Sequence, residues 1–415
     1  MKLISWSLVF LMEAFLTALV TAAQFSCSGG DVTCLIASIN SANQRAGKHT
    51  IHLASGVYTT TAIDNTVNGN TALPIITGNI RIRSASDTEP AAIEAKTGLA
   101  ISAPRLFFIE SFGNLTLDGI VLQDSLAGID FVHNLGTTSI LNSIIRGILI
   151  VNFSGTSAVQ NFGQLTIVNS ILDFNRGEHQ GGGVITNELG GVASIENSTI
   201  ADNISFIGGI VNRGTLSIKK SAILRNRSDL ALPGGGLRNS SGTAEVVSST
   251  FTGNRAAGGG AVYNERGTVS LLNSTVSEND SRGAVGNGGA LFNSDGLLRL
   301  QNSIVSNNID NEFSVRPDCV GDISSLGSNI IGDVNGCNIN LQPSDRVGDP
   351  GLGALIGDDD ENATPGQIYY PLLTGSPAID GGNKKACPKT DQLKNTRVGV
   401  CDIGAIEFQK QALIN

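Results

Sequence analysis

The chain has 415 residues, of which 15% are charged against about 25% in ordinary globular domains, with 51 glycines and a formal net charge of −9. Glycine and its 37 asparagines are poor helix formers, which excludes a helical protein, and a 40% hydrophobic content at low net charge excludes a disordered chain. An isoelectric point near 5.0 disfavours nucleic acid as a partner, because phosphate binding needs a basic surface.

Residues 1–23 start with Lys2, continue through an apolar core from Leu3 to Val20 and end on Thr21-Ala22-Ala23, the pattern of a secretory signal peptide cut before Gln24. Glu13 interrupts the apolar run, which makes the alternative, an uncleaved membrane anchor, a marginal span. No later stretch reaches transmembrane length. The expected location is therefore secreted, extracellular or cell-surface.

Cys27, Cys34, Cys319, Cys337, Cys387 and Cys401 lie outside the central repeats in three sequence-local pairs. An exported chain meets an oxidising compartment, where disulfides are the default. Six cysteines allow about fifteen pairings, and proximity predicts Cys27–Cys34, Cys319–Cys337 and Cys387–Cys401. A metal site is the competing reading, but no C-x-x-C spacing occurs.

The middle of the chain repeats. Asn followed closely by Gly recurs at Asn134, Asn161, Asn187, Asn212, Asn239, Asn264 and Asn293, at spacings of 27, 26, 25, 27, 25 and 29. An alternating apolar stretch follows most of them, such as Leu165-Thr-Ile167 or Leu216-Ser-Ile218. A serine column then runs through Ser143, Ser170, Ser198, Ser221, Ser249, Ser274 and Ser303, with an asparagine five residues after each serine from Ser170 onward. Period-2 alternation over three to five residues predicts short strands with one buried face. A unit this short cannot enclose a core, so neighbours must stack on it. The pattern predicts an all-β fold, a right-handed parallel β-helix (a pectin-lyase-like solenoid) of roughly ten coils, with a short N-terminal capping helix over Cys34–Asn43. The expected division is a cap and first coil over 24–74, repeats over 75–310 and a C-terminal domain over 311–415. A leucine-rich horseshoe would need fixed leucines that these columns lack, and a propeller would need longer blades.

Gly288-Gly-Ala-Leu291, Gly259-Gly-Ala-Val262 and Phe251-Thr-Gly-Asn254 resemble the repeats of the polymorphic outer-membrane proteins. The N-terminal segment, with its Cys-led helix, Ala42-Asn43, Thr50-Ile-His-Leu53 and Gly56-Val-Tyr58, is similar to the CSLREA domain, although Leu35-Ile-Ala37 replaces that domain's polar triplet. Asp318-Cys-Val-Gly321, Leu326-Gly-Ser-Asn-Ile-Ile-Gly-Asp333, Gly375-Ser-Pro-Ala-Ile-Asp380 and Cys401-Asp-Ile-Gly-Ala-Ile-Glu407 resemble the choice-of-anchor Q domain of exported β-helix proteins. That resemblance implies surface association and no settled activity.

Candidate chemistry is sparse. Lyases of this fold set carboxylates beside a basic residue, and hydrolases use close carboxylate pairs, yet no repeat column carries Asp or Glu from coil to coil. Arg176, Glu178 and His179 form the best local trio, an acid–base candidate on what otherwise reads as a solvated turn. Asp358, Asp359, Asp360 and Glu361 form the densest acidic run and the candidate calcium site, with no other cofactor expected. His49 and His52 flank the first coil, and Arg176, Arg227 and Arg255 each follow a column asparagine, which makes a short arginine ladder conceivable. The leading expectation is a non-catalytic adhesive or structural role at a host- or neighbour-cell surface or on extracellular polysaccharide. The alternative is a polysaccharide lyase or hydrolase with a divergent active site.

Overall fold

The computed structural model describes residues 22–96, 103–128, 130–151, 157–177, 182–228, 232–282, 289–310, 318–358 and 364–409. The signal segment, but for its last two residues, lies outside them. Among the described residues the strands form three parallel sheets of 19, 12 and 8 strands, and no helix is long and apolar enough to cross a membrane. The chain is an all-β, right-handed parallel β-helix. A single coil shows the plan: Val159–Asn161 and Gln164–Val168 join the first sheet, Ile171–Asp173 the second and Arg176–Gly177 the third. Each strand pairs in register with its equivalent one coil on, as Leu165 does with Ala193 and Ile167 with Ile195.

Alternation places one face of every strand inside. Ile140, Ile167, Ile195, Ile218, Val246 and Leu271 stack as one interior column, each at most 1% exposed. The corners of the coil are held by polar side chains that point inward. Asn134, Asn161, Asn187, Asn212, Asn239 and Asn264 are fully buried, and each Nδ2 donates to Oδ1 of the next coil's asparagine at 2.6–2.8 Å. A glycine must follow because the preceding coil's carbonyls approach closely: a Cβ on Gly163 would collide with the Gly136 oxygen.

At the second corner each serine hydroxyl donates to the carbonyl two residues back. It also accepts the amide of the previous coil's serine, Ser198 N reaching Ser221 Oγ at 3.2 Å. The residue before each serine takes a left-handed conformation, φ 44–51° from Asn142 to Asn302. Asparagine tolerates this best, hence Asn142, Asn169, Asn197, Asn273 and Asn302, with Lys220 and Ser248 between. A third ladder, Asn175 through Asn308, closes the other corner and ends on Asp318, whose Oδ1 accepts from Asn308 Nδ2 at 2.8 Å.

The helix Val32–Asn43 closes the N-terminal end. Asp31 caps it by accepting the Cys34 amide at 2.9 Å, and Leu35, Ile39 and Ala42 turn inward as their spacing predicts. Its last residue, Asn43, accepts the Thr77 and Gly78 amides at 2.9 Å and locks the helix to the next coil. The three disulfides are Cys27–Cys34, Cys319–Cys337 and Cys387–Cys401.

Beyond Pro350 the chain turns back as a strap along the second sheet instead of continuing the stack. Gly366 N donates to Thr199 Oγ1, Tyr370 bonds Thr252, and Gln392 accepts from Thr250 while donating to the Gly366 and Ile368 carbonyls. Farther along, Ala405 N donates to Thr275 Oγ1 and Asn273 Nδ2 to the Asp402 carbonyl. The outward faces of Thr199–Ala201, Ala222–Leu224 and Thr250–Thr252 are consequently buried, whereas Ile144 and Ile171 on earlier coils are not. Arg397 and Glu407, both nearly fully buried, pair at 3.1 Å inside the strap.

Asn212 donates to Asn239, Gly214 and Thr243 from a fully buried position. Breaking the ladder there, which also leaves Asn187 Nδ2 without its acceptor, should make Asn212→Ala cost about 2–4 kcal/mol in urea unfolding, against less than ~0.5 kcal/mol for outward-facing Ser194→Ala. Burial pushes the Asp318 carboxyl up to about 6 although Asn308 and Asp333 hydrogen-bond to it. A folded value above the unfolded one means that this contribution is fully present below about pH 4 and is lost as pH rises through about 6. The difference in unfolding midpoint between the wild type and Asp318→Asn should therefore move against the wild type over that window.

Candidate functional site

The edge between the first and second sheets carries a concave site on the early coils. In the strand Asn79–Ser84, Ile80 and Ile82 enter the core, so Arg81 and Arg83 both project outward. One coil later Asn114–Asp118 ends on Asp118, in register with Arg83. Its carboxylate forms an ion pair with Arg81, lies 3.5 Å from Arg83 Nε and accepts from Asn142 Nδ2 at 2.9 Å. Burial pushes the Asp118 carboxyl up, but hydrogen bonds from Arg81 and Asn142 and the charges of both arginines outweigh it, so it sits below its ordinary value.

These groups line a cleft of about 630 Å³ together with Asp87, Pro90, Val121 and the half-buried Ile144. The cleft thus offers a carboxylate and an amide to hydroxyl groups, a half-exposed guanidinium (Arg83, 45% exposed) to an anion, and an aliphatic surface to C–H faces.

The residues singled out from the sequence lie elsewhere. Arg176 is exposed on the third sheet, in register between Leu149 and Ile204, while Glu178 and His179 lie outside the described residues. Of the acidic run, Asp358 forms an ion pair with Arg225, which also binds Asp202 through two 2.7 Å bonds; Asp359, Asp360 and Glu361 lie outside the described residues. Among the described residues no group of three or more His, Cys, Asp or Glu gathers as a metal site. His49 and His52 take opposite faces of one strand: His49 is buried and accepts the Ala23 amide at 3.0 Å, and His52 meets Gln24 at the surface. Arg227 and Arg255 are in register on neighbouring coils, but Ile204 separates them from Arg176, so the arginine ladder is two residues long.

Arg81, Arg83 and Asp118 were not among the sequence candidates. Their signal is the pair of outward cations in Ile80-Arg-Ile-Arg83 one coil above the Asp that ends Leu115-Thr-Leu-Asp118.

No family model matches the chain, and no curated relative matches it. Among solved structures it is similar to pectate lyase Pel9A, at 14% identity and a TM-score of 0.51, over 94% of this chain and 98% of that one. The alginate lyase AlyGC of polysaccharide lyase family 6 is similar at 11% identity and a TM-score of 0.36, over 94% and 59% of the respective chains. A mannuronic acid-specific family 6 lyase from human gut microbiota follows at 12% identity and a TM-score of 0.32, over 77% and 91%. The first of these likenesses shows the fold: a parallel β-helix of the pectate-lyase kind.

Because the folded Asp118 value lies below the unfolded one, its contribution is present above about pH 4 and is lost as pH falls through the folded value. The stability advantage of the wild type over Asp118→Asn should shrink in urea titrations run below about pH 4, the opposite sense to Asp318.

Proposed function

We propose that this chain is an extracellular β-helix protein that binds acidic polysaccharide. The observation that carries the reading is the Arg81–Arg83–Asp118 cleft, whose apolar lining, Ile144 among it, suits the C–H face of a sugar ring. Asp118 and Asn142 accept and donate to hydroxyls there, and Arg83 takes a ring carboxylate. On this reading the adhesive role expected from the repeats is adhesion to a polysaccharide. The end segments then serve as a CSLREA-like cap and a choice-of-anchor Q-like element. Calcium at the 358–361 run stays part of the proposal as an optional bridge between carboxylates.

A second reading, cleavage of the bound polymer, is favoured by the likeness over nearly the whole chain to a protein that is a pectate lyase. Both readings meet in one experiment. The mature chain is titrated with polygalacturonate, alginate and a neutral glucan, with and without calcium, and polymer length is followed alongside binding. Retention of an acidic polymer that Arg83→Ala weakens about tenfold supports binding at the cleft. Shortened polymer with unsaturated ends establishes the lyase reading, and acidic polymer that is neither retained nor shortened overturns both.

A further inference from the structure

Where the strap meets the solenoid, four lysines from two distant parts of the chain converge. Lys219 ends a strand of the first sheet and Lys220 turns the chain toward the second; Lys385 lies in the short turn Lys384–Ala386 just before Cys387, and Lys389 in the loop closed by Cys387–Cys401. Together with Ser248 and Thr390 they line an open groove of about 420 Å³. Lys219 lies 3.4 Å from Glu245 and Lys220 3.5 Å from Glu196, whereas among the described residues no ion pair engages Lys385 or Lys389. In a chain of net charge −9 this is a local reversal of sign.

The backbone segments that carry the four lysines are held against one another. Lys219 is fixed by its strand, Lys220 by the left-handed corner, and the loop by its disulfide and the Ser248 hydroxyl on the Thr390 carbonyl. Like charges lining one groove raise the local potential, and a bound anion relieves it.

We infer that this groove is a second binding site, for the carboxylate or sulfate groups of an acidic polysaccharide. The inference rests on the proposed function for the identity of the polymer and on the groove alone for the location. Lysine suits the task because its ammonium is a rotatable point charge that accommodates anionic groups at varied angles. The groove also lies on the same corner of the solenoid as the arginine cleft. Five strand steps, from Asn79–Ser84 to Thr215–Lys219, separate them, or about 24 Å at ~4.8 Å per step. One polymer laid along the axis reaches both sites, so long chains gain avidity that short ones lack.

The test compares the full mature chain with Lys385→Gln/Lys389→Gln and, as a control outside the groove, Lys384→Gln. Binding of polygalacturonate and of trigalacturonate is measured at about 0.02 M and about 0.5 M salt. The double variant should bind the long polymer about tenfold more weakly at low salt, with a flatter salt dependence and an unchanged melting temperature. The control should match the wild type. Equal binding by the wild type and the double variant, with Arg83→Ala still weakening the polymer, overturns the groove and leaves the proposed function standing. No binding of acidic polymer by the wild type overturns both.

Discussion

A buried amide handed from coil to coil sets the terms for everything else in this molecule. Each asparagine at the first corner has both its donor and its acceptor inside the solenoid, where water cannot replace a missing partner. The side chain therefore finds its partner only if the next coil arrives in register, and a slip by one residue would leave amides unpaired at every level. The corner glycine, the serine corner and the interior aliphatic columns all serve that register. Hydrophobic burial supplies the bulk of the driving force, and the polar ladders decide which stacking is the native one.

Both clefts sit at the corner between the first and second sheets. The strap covers the later corners after the first sheet, both where asparagine is kept, as at Asn273 and Asn302, and where Lys220 and Ser248 replace it, and at the latter its lysine-bearing loop forms the groove. On the early coils the same corner holds Gly119 and Asn142, and the strap does not reach them, so the arginine cleft stays open. The corners that hold the fold together thus also provide its two clefts.

Much of this was legible in the sequence, because a repeat writes its physics once per coil. The Asn-Gly spacing, the serine column and the second asparagine column each correspond to a hydrogen-bonded ladder, and proximity identified all three disulfides. The cleft was not legible by the same route. Arg81 and Asp118 are 37 residues apart on coils ahead of the regular repeats, where the period is longer and the columns have not settled. The strap escaped for a different reason. Its contacts, such as Gln392 on Thr250 and Tyr370 on Thr252, are single side chains spanning 142 and 118 residues, with no periodicity to announce them. Arg176 stood out because it stands beside Glu178 and His179 in sequence, but nearness in sequence does not by itself place groups in a cavity, and Arg176 lies exposed on the third sheet.

The strap also acts as a gauge. Its hydrogen bonds to Thr199, to Thr250 and Thr252 two coils on, and to Thr275 one coil further are spaced along the solenoid like pegs on a rail. A solenoid can in principle gain or lose a whole coil at little cost, since every coil offers the same faces to its neighbours. Here that freedom is confined to the coils before Thr199. A coil added among the later ones would move every peg beyond it by one strand spacing, while a coil added between Asn142 and Thr199 would leave the strap seated and lengthen only the distance between the two clefts.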